Sequence, residues 1–297
     1  MQQQSTQPVK TFTIGFSDDS YNEAKHAKEV AKYLNTDHAE LYVSHQDAIN
    51  VIPKLPKIYD EPFSDPSQIP TFLVSQLARD HVTVSLSGDA GDELFGGYNR
   101  YLLTDQLWGK LSMLPVSMRR GLAGMMTTLS PEAFNKFLGF LPYNRVGEKI
   151  HKAASVMESS SIDELYLRLV SHWNNPESIV LNSSEPITQL TSATSNISRL
   201  SQIQKMMLMD TLTYLPDDIL TKVDRAAMGV SLETRIPFLN HNVVEYAWRM
   251  PMNFKVRNGE GKWALRQILY KYIPKEMIER PKMGFGVPID SWLRGPL

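Results

Sequence analysis

The strongest constraint on this chain is the alternation of patterns along its first hundred residues. Thr11–Phe16 (TFTIGF) is β-branched, aromatic and apolar, and runs into a turn, SDDS. Tyr21–Leu34 then carries Ala24, Ala27, Val30, Ala31 and Leu34 at helical spacing. His38–Val43 (HAELYV) reads as a second strand, Pro70–Arg79 as a further helix, and His81–Leu86 (HVTVSL) as a third strand. Strand–helix–strand–helix–strand predicts a parallel α/β sheet with right-handed connections and a ligand at the C-terminal strand ends.

After about Tyr101 the strand signal fades. Met206–Tyr214, Asp217–Met228, Asn242–Trp248 and Lys262–Tyr272 read as helices, and the Ser-, Thr- and Asn-rich stretch Asn182–Ser198 reads as an exposed connection. The chain therefore divides, by composition, into an α/β part over residues 1–100 and a mainly helical part over 101–297. There is no internal repeat.

Composition removes several classes of function. A net charge of −1 leaves no strong field to attract nucleic acid or an anionic membrane. There is no cysteine, which excludes disulfides, thiolate zinc sites and thiol nucleophiles, and fits a reducing cytoplasm. The 7 histidines form no HxH or HExxH pair, which argues against a zinc enzyme. No apolar run approaches the ~20 residues that span a bilayer. The polar start MQQQSTQPVK leads straight into a buried-strand pattern, and the chain stops just after a Trp-Leu pair. It reads as a segment cut at both ends.

The chemistry concentrates in Ser87-Gly88-Asp89-Ala90-Gly91-Asp92-Glu93, directly after the third strand. Gly88 and Gly91 allow close approach of a ligand or positive φ. Exposed amides at a strand-to-helix turn suit phosphate. Asp89, Asp92 and Glu93 would repel a bare phosphate, but magnesium between acids and phosphate would join them. A capped turn uses the same residues, and both readings stand on this loop alone.

Two further segments carry polar groups in fixed frames. Glu279–Pro288 (ERPKMGFGVP) holds Lys282 in a Gly- and Pro-rich loop, where it could stabilise developing negative charge or simply face solvent. Leu215–Ala226 (LPDDILTKVDRA) begins a helix with Pro216, Asp217 and Asp218, and Lys222 stands at pairable spacing from Asp218. Arg235, ahead of Ile236-Pro237-Phe238-Leu239, is placed to pair with the loop acids, with an anionic substrate, or to lock two segments together.

TFTIGF, SLSGDAGDELFGGYNRY, LPDDILTKVDRAAM, SLETRIPFLNH and RPKMGFGVPIDSWLRGPL, taken in order, resemble the synthetase domain of the glutamine-hydrolysing asparagine synthetase family. The resemblance implies an α/β fold: a parallel sheet of the adenine nucleotide α-hydrolase-like (ATP pyrophosphatase) type, followed by a mainly helical region. It implies that a carboxylate attacks the α-phosphate of ATP·Mg2+ to give an acyl-adenylate and pyrophosphate, and that ammonia then displaces AMP. Aspartate is the default carboxylate, and ammonia would come from an N-terminal glutaminase domain. By position, Ile14 and Gly15 look like adenine contacts, and Ser87, Gly88 and Gly91 like further nucleotide contacts. Asp92 looks like a magnesium ligand, Asp89 like a base near the reacting centre, and Lys282 like the lysine that stabilises charge at the α-phosphate. Arg235 falls in a motif that lines the cleft.

The departures from the family matter equally. The Ser-Gly-Gly-x-Asp-Ser pyrophosphate loop, expected ahead of TFTIGF, does not occur in the sequence, and neither does a glutaminase domain. The chain alone is therefore expected to be inactive in adenylation. Amidation of a sugar or other carboxylate for surface polysaccharide, and a non-catalytic nucleotide- or partner-binding module, are the other readings.

Overall fold

A computed structural model describes residues 1–16, 22–137, 146–171, 173, 176–184, 186–187, 199–279 and 292–295. Strand β1 (Lys10–Phe16) and strand β2 (Asp37–Val43) pair in parallel, with Lys10 opposite Asp37 and Phe16 opposite Val43. Helix α1 (Ala24–Leu34) makes the crossover, with Ala24 and Ala31 buried. It ends at Asn35 in the left-handed conformation (φ 56°), a residue type that tolerates that region. Ser44 and Asp47 then form a capping box that starts α2 (His45–Val51). Next come α3 (Leu55–Tyr59) and the largely buried α4 (Gln68–Arg79).

Strand β3 is shorter than the sequence predicts, at Val84–Leu86. The reason is local: the His81 and Val82 amides both donate to the Ala78 carbonyl and so terminate α4. A short helix, α5 (Gly91–Phe95), follows β3.

The chain then enters a second compact unit, residues 96–213, while residues 1–95 and 214–297 form the first. In the second unit the described helices are α6 (Asn99–Leu111), α7 (Val116–Met126), α8 (Pro131–Phe137), α9 (Val146–Met157), α10 (Ile162–Val170) and α11 (Gln202–Leu212). Leu111, Val156 and Leu165 form an apolar cluster there. At its polar centre, Asp210 Oδ2 accepts from Arg100 Nη2 at 2.6 Å, Tyr101 OH at 2.6 Å and Tyr166 OH at 2.7 Å. Three helices are thus joined on one carboxylate oxygen.

The first unit resumes with a π-helical turn, Leu215–Leu220, leading into α12 (Thr221–Met228). Strand β4 (Glu233–Arg235) pairs in parallel with β3, and this strand has no counterpart in the sequence reading. Its helical-looking neighbourhood hides a run of only 3 extended residues. Helices α13 (His241–Arg249), α14 (Met252–Lys255), α15 (Trp263–Leu269) and α16 (Lys275–Ile278) complete the order. The main core of this unit joins Ile14, Phe16, Val43, Val51, Ile69, Phe72, Ala226 and Trp292. The fold is thus mixed α/β, mostly helical, with small parallel sheets. Among the described residues no helix is long and apolar enough to cross a membrane.

Candidate active site

The loop after β3 is built from local constraints. The Ser87 amide donates to the Arg235 carbonyl at 3.0 Å, which fixes the loop to the end of β4. Ser87 Oγ donates to Asp89 Oδ2 and holds that carboxylate at the strand end. Ala90 then takes φ 66°. The sequence reading allowed either a close approach or positive φ at Gly88 and Gly91; the positive φ falls instead on a residue with a side chain. Such conformations persist only where surrounding structure imposes them, and they cluster at functional sites. Here the imposing structure is an apolar cluster of Ala90, Leu94, Phe95, Leu215 and Ala247 around the buried methyl.

The two glycines differ in role. A Cβ on Gly88 would meet nothing within 4 Å among the described residues, so none of these requires glycine there. A Cβ on Gly91 would lie 3.3 Å from the Phe238 ring and 3.8 Å from Lys262 Nζ. Gly91 therefore lets the Phe238 ring approach α5, while the Lys262 contact would be an ordinary one. At the other strand, the Ile14 side chain is buried in the core. A Cβ on Gly15 would lie 2.8 Å from Asn22 Oδ1 and 2.9 Å from Ala24 Cβ, so this glycine lets the start of α1 pack on β1.

Asp92 stands in the first turn of α5, beside the buried Glu93. Lys262 Nζ lies 2.8 Å from Asp92 Oδ2, and the Lys262 amide donates to the Phe95 carbonyl at 3.0 Å. This lysine escaped the sequence reading, because 170 residues separate it from Asp92. Its signal was the preceding Asn258-Gly259 pair, a strong short-range turn signature.

The other sequence candidates separate. Arg235 is exposed, and its Nε lies 2.7 Å from Glu233 Oε1 on the same strand face rather than on the loop acids. Lys222 reaches Asp65 Oδ2 at 2.5 Å. The π turn carrying Asp218 changes the helical spacing on which a Asp218–Lys222 pairing was expected. Burial alone would raise the Asp65 pKa, but hydrogen bonds from Lys222 and Ser67 outweigh it and hold the carboxyl below its ordinary range. Tyr59 OH donates to the Lys222 carbonyl at 3.3 Å. Burial, with Asp65 and Asp218 near, pushes that phenol up. This cluster ties α3, α4 and α12 together and fixes the helix that presents Asp218. Lys282 lies outside the described residues.

Among the described residues, no group of 3 or more His, Cys, Asp or Glu side chains is placed to hold a metal. Magnesium that arrives on a nucleotide needs only one or two carboxylates, the phosphates and water supplying the rest. Asp92 is the loop carboxylate that faces a cation in this structure, the Lys262 ammonium.

The family model for asparagine synthase matches residues 1–297. The chain belongs to the asparagine synthase family. It is 32% identical to asparagine synthetase (glutamine-hydrolyzing) 1 of Bacillus subtilis over 289 residues, which is 97% of this chain and 44% of that protein. It is 49% identical over 94 residues, 32% of this chain and 18% of the relative, to a putative asparagine synthetase (glutamine-hydrolyzing) 2 of Methanocaldococcus jannaschii. It is 22% identical to the amidase chyE of Penicillium rubens, over 97% of this chain and 45% of that protein. The chain thus spans less than half the length of these relatives. Within the asparagine synthase family, the loop at residues 87–93 and the Asp92–Lys262 pair are the features of this chain on which a nucleotide site can be argued.

Proposed function

We propose that this chain supplies the ATP-using part of a glutamine-dependent, amide-forming ligase, on a fold of the adenine nucleotide α-hydrolase-like type. Residues 1–100 and 101–297 are, in this reading, the nucleotide-binding and helical parts of one synthetase domain. A carboxylate, by default that of aspartate, attacks the α-phosphate of ATP; pyrophosphate leaves, and ammonia from a glutaminase domain displaces AMP. The observation that carries the reading is the loop from Ser87 to Glu93, tied to β4 and ending on Asp92, within a chain of this family.

The roles follow from chemistry. Ser87 and Gly88 contact the nucleotide, and the open space over Gly88 leaves room for it. Ile14 and Gly15 contact adenine through the backbone, because the Ile14 side chain is buried and Gly15 has none. Asp89, held by Ser87, accepts a proton from the incoming amine. Lys282 stabilises charge at the α-phosphate, and Arg235 orients the substrate anion. Asp92 would hold magnesium, which when bound offsets the phosphate charge.

One observation favours a second reading, a binding module without catalysis. Asp92 does not require a metal to balance it, because Lys262 already pairs with it. A module that binds a partner and no nucleotide is distinguished by measurement. MgATP should raise the unfolding free energy of the chain by about 2.7 kcal/mol at a concentration 100 times its Kd. The shift should vanish in Asp92→Asn. An unchanged melting temperature in MgATP would sink the nucleotide reading. The sequence contains no Ser-Gly-Gly-x-Asp-Ser stretch, so the chain by itself should release no pyrophosphate. Release that depends on both ATP and aspartate would overturn that expectation.

A further inference from the structure

We infer that Lys262 is the resident counter-cation of Asp92, occupying the carboxylate until a divalent metal displaces it. This rests on the reading of Asp92 as a metal ligand. The lysine is delivered there by a dedicated piece of backbone. Arg257 and Glu260 exchange hydrogen bonds of 3.0 and 2.9 Å across a tight turn. The two residues between them, Asn258 and Gly259, have φ 53° and 78°. Positive φ at both central positions defines the turn type whose twist suits a short hairpin. Lys262 itself is left-handed, with φ 56°, at the head of α15. A non-glycine residue is held in that region only by surrounding contacts.

Both ends of Lys262 are anchored on one short helix. Its amide is bonded to Phe95, the last residue of α5, and its ammonium reaches back to Asp92 near the first. The lysine therefore sits where any metal drawn to this Asp92 oxygen must arrive. Two cations cannot share one carboxylate oxygen cheaply, since like charges at contact repel strongly in a partly desolvated site. The backbone anchor need not break for exchange. The lysine's four-carbon stem is flexible, and its side chain is 29% exposed, so the ammonium has a path into water.

The experiment measures Mn2+ binding to the whole chain without nucleotide, by the loss of the free-ion paramagnetic resonance signal. Wild type should bind weakly, Lys262→Met at least about tenfold more tightly, and Lys262→Arg, which keeps the charge, no more tightly than wild type. Equal or weaker binding in Lys262→Met, with binding still lost in Asp92→Asn, overturns the exchange and leaves the metal reading intact. Binding that ignores Asp92→Asn overturns both. A structural role alone would lower the melting temperature of Lys262→Met without tightening Mn2+. Should that variant fail to fold, wild type still decides. Mn2+ should speed acetylation of Lys262 Nζ by a water-soluble ester several-fold, read by peptide mass spectrometry. An unchanged labelling rate at saturating Mn2+ overturns the inference.

Discussion

At the scale of single residues, the sharpest energetic anomaly is Lys255. It is wholly buried, with no hydrogen-bond partner for its ammonium among the described residues, and that ammonium lies 5.1 Å from the centre of the Trp248 ring. Burial lowers its pKa from 10.5 to about 8. The unfolded chain therefore binds more protons than the native one between those values, and stability rises with pH across that window. Below about pH 8 the full penalty of a buried charge is present, offset in part by the ring. Lys255→Met keeps a long flexible side chain without the charge. It should stabilise the protein by about 2 kcal/mol at pH 7, with the advantage shrinking as pH approaches 10. Denaturant titrations of both proteins across that range test this. A variant less stable at pH 7 would show that the ammonium earns its place through contacts stronger than the ring.

At the scale of elements, glycines that look alike in the sequence should behave differently. Gly15→Ala would force a methyl within 2.8 Å of Asn22 Oδ1 and 2.9 Å of the Tyr42 ring, so it should cost roughly 1–3 kcal/mol by overpacking. Gly88→Ala meets nothing, so stability should stay within about 0.5 kcal/mol. If Gly88 lines the nucleotide, the same alanine should abolish the MgATP-dependent rise in melting temperature. Retention of that rise would remove Gly88 from the site. The contrast shows what pattern reveals and what it hides. β1, α1 and β2 were legible because apolar periodicity and a turn signal agree over seven residues or more. β4 was not, because 3 residues cannot display a period and its pairing partner is 149 positions away. The left-handed Ala90 was not either, since packing rather than residue type imposes it. The loop's acids were visible; the Asn258-Gly259 turn marks the approach to Lys262, but the pairing of that lysine with Asp92, 170 positions away, depends on tertiary structure.

At the scale of the whole molecule, the chain is laid out as one continuous unit interrupting another. The first stretch of the first unit ends at Phe95. The return to that unit at Tyr214 leaves no mark in composition, because helices stand on both sides of it. The second unit holds its own polar anchor, and this makes its stability separable. Asp210 is 1% exposed and carries three donors on one oxygen. Burial first, and the Asp210 charge second, push the Tyr101 and Tyr166 phenols up, so both remain donors throughout the ordinary pH range. Asp210→Asn removes the charge that Arg100 Nη2 meets at 2.6 Å. Breaking a buried pair from one side costs about 3–5 kcal/mol, and Arg100, 31% exposed, should bring this nearer 2–3. Hydrogen exchange should therefore accelerate in α6, α10 and α11. Mn2+ binding at Asp92 belongs to the other unit and should not change. Loss of metal binding in Asp210→Asn would mean that the two units fold as one cooperative body, and that the first cannot hold its loop without the second.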